Sequence, residues 1–180
     1  QAFRIRGGRV VGIDPIAPRR ELANRCGIAH TLGGAPDQVQ AGFAELTGGE
    51  MAQIAVDAVG HSAVAMQALK TCAPHAQLVL LGSPRVPVEG DLTEFFSAVH
   101  LRWITVRGAL EWCLPMYPAG DGRISQQSKQ AMIFDWLRRG ELQLDPLISH
   151  RLPPEEIKEA YEGLEEQRDT YTGVVLDWNS

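Results

Sequence analysis

An aspartate that directly follows a short apolar run carries the clearest chemical implication in this sequence. The run Arg9–Ile13 (RVVGI) reads as a buried strand, and Asp14 comes before a helical pattern opened by Pro18. In a doubly wound sheet, ligands bind beyond the carboxyl ends of the strands, where a carboxylate can accept hydrogen bonds from the adenosine ribose of NAD. The carboxylate disfavours the 2′-phosphate of NADP, although Arg19 and Arg20 would tolerate it. Asp14 and Arg19 therefore predict a nucleotide contact that favours NAD, with helix capping by Asp14 as the alternative.

Two further strand ends carry small residues. DAVGHS (Asp57–Ser62) places Gly60 after one apolar run, and LLGSP (Leu80–Pro84) places Gly82 after another. Glycine allows another group to approach the backbone closely. Each turn alone is most simply a strand-to-helix connection, but three such ends on one edge of a parallel sheet predict a binding edge. His61 could hydrogen-bond a ribose at this edge.

Other chemistries have little support. Cys26, Cys72 and Cys113 are 46 and 41 residues apart, which is the spacing of neither a zinc site nor a disulfide framework. No two histidines have metal-ligand spacing, and no serine lies in a nucleophile elbow. We predict no metal site in this chain. The phosphate-binding pattern G-x-G-x-x-G after a strand is also absent from the sequence.

Composition narrows the class of protein. The net charge of −5 argues against nucleic acid as a partner. No apolar run approaches the roughly 20 residues of a membrane helix, so no membrane partner is expected. Free thiols indicate a reducing compartment, and we expect a cytoplasmic protein.

Alternating strands and helices must position these residues. Strand-like runs are RVVGI, QIAVDAVG, QLVLLG, WITVRG and GVVLDW, with HTL as a short candidate. Helices are predicted after Pro18 and Pro36, from Ser62 as N-cap, over 93–99 and 126–139, and after Pro153. Because most of the strands are continuous apolar runs, they predict a parallel sheet covered on both faces, and the fold class is α/β.

Together these stretches resemble the zinc-type alcohol dehydrogenases of the medium-chain dehydrogenase/reductase superfamily. GGRVVGID…RRELANRCGIAHTL is similar to the family's second strand, ribose-binding acid and following helix. IAVDAVGHSAVAMQALKTCAPHAQLVLLGSP resembles the fourth strand, helix and fifth strand, and DPLISHRLPPEEIKEAYEGLEE…GVVLDW resembles the C-terminal signature. The resemblance implies a Rossmann-type doubly wound parallel sheet that is incomplete, because its first strand and Gly-rich loop are not in this sequence.

The resemblance also implies roles for residues. Asp14 and Arg19 would hold the adenosine ribose of NAD, or of NADP. The nicotinamide side would be lined by Val59, Gly60, Leu81, Gly82, Ser83 and Leu110. Many members carry a basic residue just before the last strand, near the pyrophosphate, where this sequence has Gly173.

The resemblance divides the chain into 1–110, a partial NAD(P)-binding domain, and 111–180, a C-terminal segment that packs toward a GroES-like catalytic domain. That domain, with zinc and the catalytic residues, is expected outside this sequence, so no catalytic residue is assigned here. The loop 111–127 is a candidate for shaping a substrate pocket or an interface. The sixth strand, WITVRG, is the edge through which a homodimer or homotetramer would form.

The implied function is that of the C-terminal cofactor-binding portion of an NAD(P)-dependent alcohol or polyol dehydrogenase, which transfers hydride between an alcohol and nicotinamide. Two alternatives stay open at this point: a non-catalytic nucleotide-binding or interaction remnant, and a zinc-free quinone or enoyl reductase relative.

Overall fold

The structure, a computed structural model, describes residues 1–120 and 122–179. Asp121, within the predicted 111–127 loop, and Ser180 lie outside the described residues. The helices are α1 Ala2–Ile5, α2 Ala17–Arg25, α3 Pro36–Leu46, α4 Ser62–Thr71, α5 Leu92–Leu101, α6 Gln126–Arg138 and α7 Ile157–Glu166. The strands are β1 Val11–Ile13, β2 His30–Leu32, β3 Ala52–Asp57, β4 Cys72–Leu80, β5 Thr105–Gly108, β6 His150–Leu152 and β7 Val174–Leu176. None of these helices combines the length and apolarity that a membrane span requires.

The chain forms two compact units, one of residues 1–34 with 129–180 and one of residues 35–128. These spatial units have other bounds than the 1–110 and 111–180 domains expected from the resemblance. The two expected domains stay a proposal.

The unit of residues 35–128 is built on a three-stranded parallel sheet in the order β3-β4-β5. Asp57 pairs with Leu80, and Leu80 pairs with Gly108, so the three strands end at the same edge. Leu78 and Cys72 are fully buried between this sheet and α4, with Leu69 and Ile104 beside them. All four residues of β5 are exposed, as expected for an edge strand.

Two local predictions differ from the structure. Trp103 was expected in the strand WITVRG, but it has φ +55° and is 76% exposed, and β5 begins at Thr105. Its ring lies 5.6 Å from that of His75, whose own φ is +63°. Ser62 was expected to cap α4, but the N-cap is His61, whose Nδ1 accepts a hydrogen bond from the Ala63 N–H at 3.2 Å. The ring nitrogen satisfies an N–H that the helix leaves free.

The other unit contains two parallel strand pairs, β1-β2 and β6-β7. Helix α2 connects β1 to β2 and buries Leu22, with Cys26 and Ile28 buried just beyond its end. Helix α7 lies against the segment before β7, where Tyr171 stacks on His150 at 3.7 Å and donates a hydrogen bond to Glu159 at 3.2 Å. The pKa of Tyr171 is raised by its loss of hydration and by Glu159.

Gly163 is the position in α7 on which the Tyr171 ring rests. A Cβ at Gly163 would lie 2.4 Å from two atoms of that ring. Glycine to alanine in a helix interior ordinarily stabilises by about 1 kcal/mol. We expect Gly163→Ala instead to lower the free energy of unfolding by about 1–3 kcal/mol in urea denaturation, because the ring must move from its stacked position.

The Tyr171→Ala background provides the control for this prediction. Without the ring, Gly163→Ala should regain its ordinary helix-stabilising effect, so the two substitutions should be strongly non-additive. A higher urea midpoint for Gly163→Ala alone would show that the ring contact imposes no constraint.

Candidate functional site

Asp14 shapes the turn at the end of β1. Its carboxylate Oδ1 accepts a hydrogen bond from the Ile16 N–H at 2.8 Å, and its own N–H donates to Leu32 O at 3.1 Å. This is an Asx turn, in which the side chain holds the first residues of a loop. Asp14 is half-buried, so its carboxylate remains within reach of solvent. The capping alternative is wrong, because the N-cap of α2 is Ile16 and no side chain caps the helix; Asp14 instead organises the turn that leads into α2.

The two arginines that follow Asp14 have different roles. Arg20 Nη1 donates to Asp14 O at 2.7 Å and to Pro15 O at 2.9 Å. Gly33 makes room for this guanidinium, because a Cβ there would lie 2.3 Å from Arg20 Nη1. Arg20 therefore holds the backbone of the β1 turn. Its prediction as a residue that tolerates a 2′-phosphate has no support from these contacts.

Arg19 extends from α2 toward the segment after α7. Its Nη2 donates to the carbonyl of Arg168 at 3.2 Å. Beside it lies a pocket of about 450 Å³, which we call the arginine pocket. Its lining residues are Arg19, Leu22, Leu164, Arg168, Tyr171 and Thr172. The Asp14 carboxylate bonds to the Ile16 amide, and the Arg19 guanidinium bonds to the Arg168 carbonyl. That the two side chains contact one ribose stays a prediction.

In the other unit, Asp57 ties together the turns that follow β3 and β4. Its Oδ1 accepts hydrogen bonds from the N–H groups of Val59 at 2.9 Å and Gly60 at 3.2 Å. Its main-chain carbonyl accepts from the N–H groups of Leu81 and Gly82, both at 2.9 Å. Asp57 is 1% exposed, and its Oδ2 has no hydrogen-bond partner among the described residues. We call residues 57–60 and 80–83 the paired turns.

The glycines of the paired turns approach each other, whereas the sequence prediction was of a glycine that lets another group approach the backbone at a binding edge. A Cβ at Gly82 would lie 2.1 Å from Gly60 N, and one at Gly60 would lie 2.3 Å from Ser83 O. Gly60 also has φ +77°, a conformation that favours glycine. The close approach is therefore between the two backbones. Val59, Gly60, Leu81, Gly82 and Ser83, all predicted as site residues, do lie together.

The side chains around the paired turns are apolar and accessible. Val59 is 70% exposed and Leu81 is 55% exposed. Leu110, the other predicted residue of this edge, is 57% exposed and follows Ala109, whose N–H donates to Leu80 O at 3.0 Å. The edge thus presents aliphatic side chains on a rigid backbone, an arrangement suited to the face of a ring. His61, which caps α4 through Nδ1, retains Nε2 for other contacts.

Metal-binding and nucleophilic groups are not assembled in the described part of the chain. No cluster of three or more His, Cys, Asp or Glu residues with metal-binding geometry occurs there. Cys72 is buried, and burial raises the pKa of its thiol despite the opposing effect of Arg102. The side chain of Arg102 donates to the carbonyls of Leu69 and Cys72 at the end of α4. Cys72 is therefore a packing residue in a neutral thiol form.

Sequence reasoning missed two residues of these regions. Asp57 could have been found, because it ends a strand-like run and aspartate side chains commonly accept a hydrogen bond from the backbone two residues on. Arg168 could not, because it is 149 residues from Arg19 and lies in a segment that reads as a solvated helix end.

Comparison with known proteins supplies the context for this arrangement. A family model described as zinc-binding dehydrogenase matches residues 1–117. The chain is 26% identical over 157 residues to an L-threonine 3-dehydrogenase of Bacillus licheniformis, covering 86% of this chain and 40% of that protein. It is 28% identical over 174 residues to an NDMA-dependent alcohol dehydrogenase of Amycolatopsis methanolica, covering 93% of this chain and 42% of that protein.

The fold is shared with solved dehydrogenases. The crystal structure of an alcohol dehydrogenase (rspB, described as short-chain) from Escherichia coli CFT073, complexed with NADH, superposes with a TM-score of 0.73. The sequence identity is 21%, and the superposition covers 94% of this chain and 44% of that one. The predicted fold class, an incomplete Rossmann-type α/β fold with parallel sheets, is confirmed. The chain spans about two-fifths of the length of the curated relatives it matches.

Proposed function

The chain belongs to the zinc-binding dehydrogenase family, and from that membership we propose that it forms the cofactor-binding portion of an NAD(P)-dependent alcohol or polyol dehydrogenase. The whole protein would transfer hydride between an alcohol substrate and the nicotinamide ring. The observation that carries the proposal is the family match over residues 1–117, which includes both the Asp14 turn and the paired turns.

The Asp14 turn fits the adenosine ribose of such a cofactor. Among residues 1–120 and 122–179, the Asp14 carboxylate accepts the Ile16 N–H bond through Oδ1, so Oδ2 can accept a hydrogen bond from a ribose hydroxyl. The Asx turn fixes the carboxylate before any ligand binds, which reduces the entropy lost on binding. The negative charge favours NAD over NADP, since a 2′-phosphate would be repelled.

The paired turns fit the nicotinamide side. Val59 and Leu81 offer exposed aliphatic surface on a backbone held by four hydrogen bonds to Asp57. Such a wall would position a ring and exclude water from one of its faces, while the cofactor itself supplies the hydride chemistry. The described residues do not fit a zinc ion, because they contain no group of three or more zinc ligands.

The proposal is tested by titrating the chain with NADH and following nicotinamide fluorescence. Asp14→Asn keeps an oxygen that can accept the Ile16 N–H bond but removes the charge. Because hydrogen bonds to charged groups contribute about 1.5–3 kcal/mol, we expect NADH affinity to fall about tenfold or more, and NADPH affinity to fall less or to rise.

Asp37→Asn is the matched control, because it removes one exposed carboxylate from the first turn of α3. It should leave both affinities within about twofold. Absence of saturable NADH binding to the unmodified chain would contradict the proposal, and saturable binding would argue against an inert remnant.

We also propose that two copies of the chain associate through β5. The strand is exposed along its length, and Val106 within it is 38% exposed. Leu101, Trp103 and Trp112, close to it in the sequence, are between 76% and 86% exposed. A second copy of the chain pairing along this edge would cover the strand and apolar surface of this kind.

A further inference from the structure

Asp57 is a buried carboxylate that has no counter-charge beside it. The residue is 1% exposed and forms no ion pair among residues 1–120 and 122–179. Its Oδ1 accepts the Val59 and Gly60 N–H groups, whereas its Oδ2 has no hydrogen-bond partner within those ranges. Hydrogen bonds stabilise a negative charge, but they do not cancel it. The paired turns therefore lie over a net negative charge.

The basic side chains that follow the two strands do not neutralise this charge. His61 Nδ1 accepts the Ala63 N–H bond, so that nitrogen carries no proton and the ring adds no positive charge in this arrangement. Arg85 is attached to the paired turns through its main chain, whose N–H donates to Gly60 O at 3.2 Å, but the residue is exposed. Water and salt screen an exposed guanidinium, whereas a buried carboxylate is screened much less.

The wall of the paired turns is attached directly to the groups that bind Asp57. The Val59 nitrogen lies 2.9 Å from Asp57 Oδ1, and the Leu81 nitrogen lies 2.9 Å from the Asp57 carbonyl oxygen. A ring lying on the Val59 and Leu81 side chains would be separated from the carboxylate by these turns, with no layer of bulk water between. Two charges attract each other more strongly across such a medium than across water.

We propose that the Asp57 carboxylate makes the paired turns distinguish the two redox states of a nicotinamide. That a nicotinamide lies on these turns rests on the proposed function. The oxidised ring carries one positive charge and the reduced ring carries none, so the carboxylate favours NAD⁺ and leaves NADH nearly unaffected. Tighter binding of the oxidised form lowers the reduction potential of the bound couple, by about 30 mV for each tenfold change in the affinity ratio of a two-electron couple.

The test is isothermal titration of the full chain with NAD⁺, NADH and ADP-ribose, the last of which lacks the nicotinamide. Asp57→Asn and Asp57→Ser both remove the charge and keep a side-chain oxygen that can accept an N–H bond from the turn. Asp37→Asn removes an exposed carboxylate from α3 in the same unit and is the matched control. Arg85→Gln removes the exposed positive charge that follows the paired turns.

We expect both Asp57 variants to bind NAD⁺ about fivefold or more weakly, and to bind NADH and ADP-ribose within about twofold of the unmodified chain. Asp37→Asn and Arg85→Gln should change the ratio of the NAD⁺ and NADH affinities less than about twofold, because exposed charges are screened. The ratio of the unmodified chain should also change little between about 0.05 M and about 0.5 M salt, because the carboxylate is buried.

Equal losses for NAD⁺ and NADH in the Asp57 variants would overturn the inference, because loosening of the turns by itself does not depend on the charge of the ring. An unchanged ratio in both variants would overturn it as well. In either case, saturable NADH binding to the unmodified chain leaves the proposed function in place. An unmodified chain that binds neither NAD⁺ nor NADH would contradict the proposed function and the inference together.

Discussion

Gly82→Ala is expected to be among the most destabilising single substitutions in the chain, lowering the free energy of unfolding by about 3–5 kcal/mol. The three atoms nearest to the new Cβ would be Gly60 N at 2.1 Å, Val59 C at 2.6 Å and Gly60 Cα at 2.7 Å, all of them backbone. No side chain can rotate away, so one of the paired turns must move. A native domain is stable by only about 5–15 kcal/mol, so this loss would be a large part of the total.

Urea denaturation followed by circular dichroism measures this loss, and amide hydrogen exchange at Leu78 would localise it to the unit of residues 35–128. Gly108→Ala is the matched control, since Gly108 also ends a strand of the same sheet but a Cβ there meets nothing within 4 Å. It should be neutral within about 0.5 kcal/mol or slightly stabilising. Equal midpoints for the two variants would mean that the paired turns are not in the close contact described.

Asp57→Ala is expected to lower the free energy of unfolding by about 2–4 kcal/mol. The substitution leaves the Val59 and Gly60 N–H groups without their acceptor, and the Gly60 N–H lies in a buried bond. A buried donor without a partner loses its hydration with no compensation. The main-chain carbonyl of residue 57 would still hold Leu81 and Gly82, so we expect the β4 turn to keep its shape while the β3 turn loosens.

Asp57→Asn separates the loss of the acceptor from the loss of the charge. Asparagine retains an oxygen for the Val59 and Gly60 N–H groups and places an amide nitrogen where the carboxylate Oδ2 has no hydrogen-bond partner among the described residues. We expect it to cost about 1 kcal/mol or less in the same urea experiment. If Asp57→Asn proved as destabilising as Asp57→Ala, the charge of the carboxylate would be the stabilising feature.

Gly82→Ala and Asp57→Ala also connect the stability of the paired turns to the proposed function. Both act on the paired turns, and Val59 and Leu81 project from those turns. A loosened β3 turn would no longer hold Val59 in one place. The nicotinamide half of NADH should therefore lose more affinity than the adenosine half. Asp14 and Arg19 belong to the other unit, so we do not expect the loosened turn to change their positions through a direct contact.

Residue order along the chain was sufficient to predict the alternation of strands and helices, the parallel sheets and the position of Asp14 at the end of β1. These properties follow from short-range rules: apolar periodicity, proline at the first turn of a helix and glycine after a strand. The same rules predicted that glycines at one edge allow a close approach. They failed locally at Trp103 and Ser62, where a left-handed backbone and a histidine cap replaced the commoner choice.

Only the tertiary structure determined which residues each side chain and each glycine backbone contacts. It showed that Gly60 and Gly82 make room for each other, that Arg20 holds backbone carbonyls while Arg19 reaches the arginine pocket, and that Arg168 lies beside Arg19 although 149 residues separate them. Neighbouring arginines on a helix differ by about 100° in direction, and the sequence does not record which direction a distant segment occupies. Short-range preferences specify the elements, whereas the partners of a side chain are set by packing between elements that are remote in the chain.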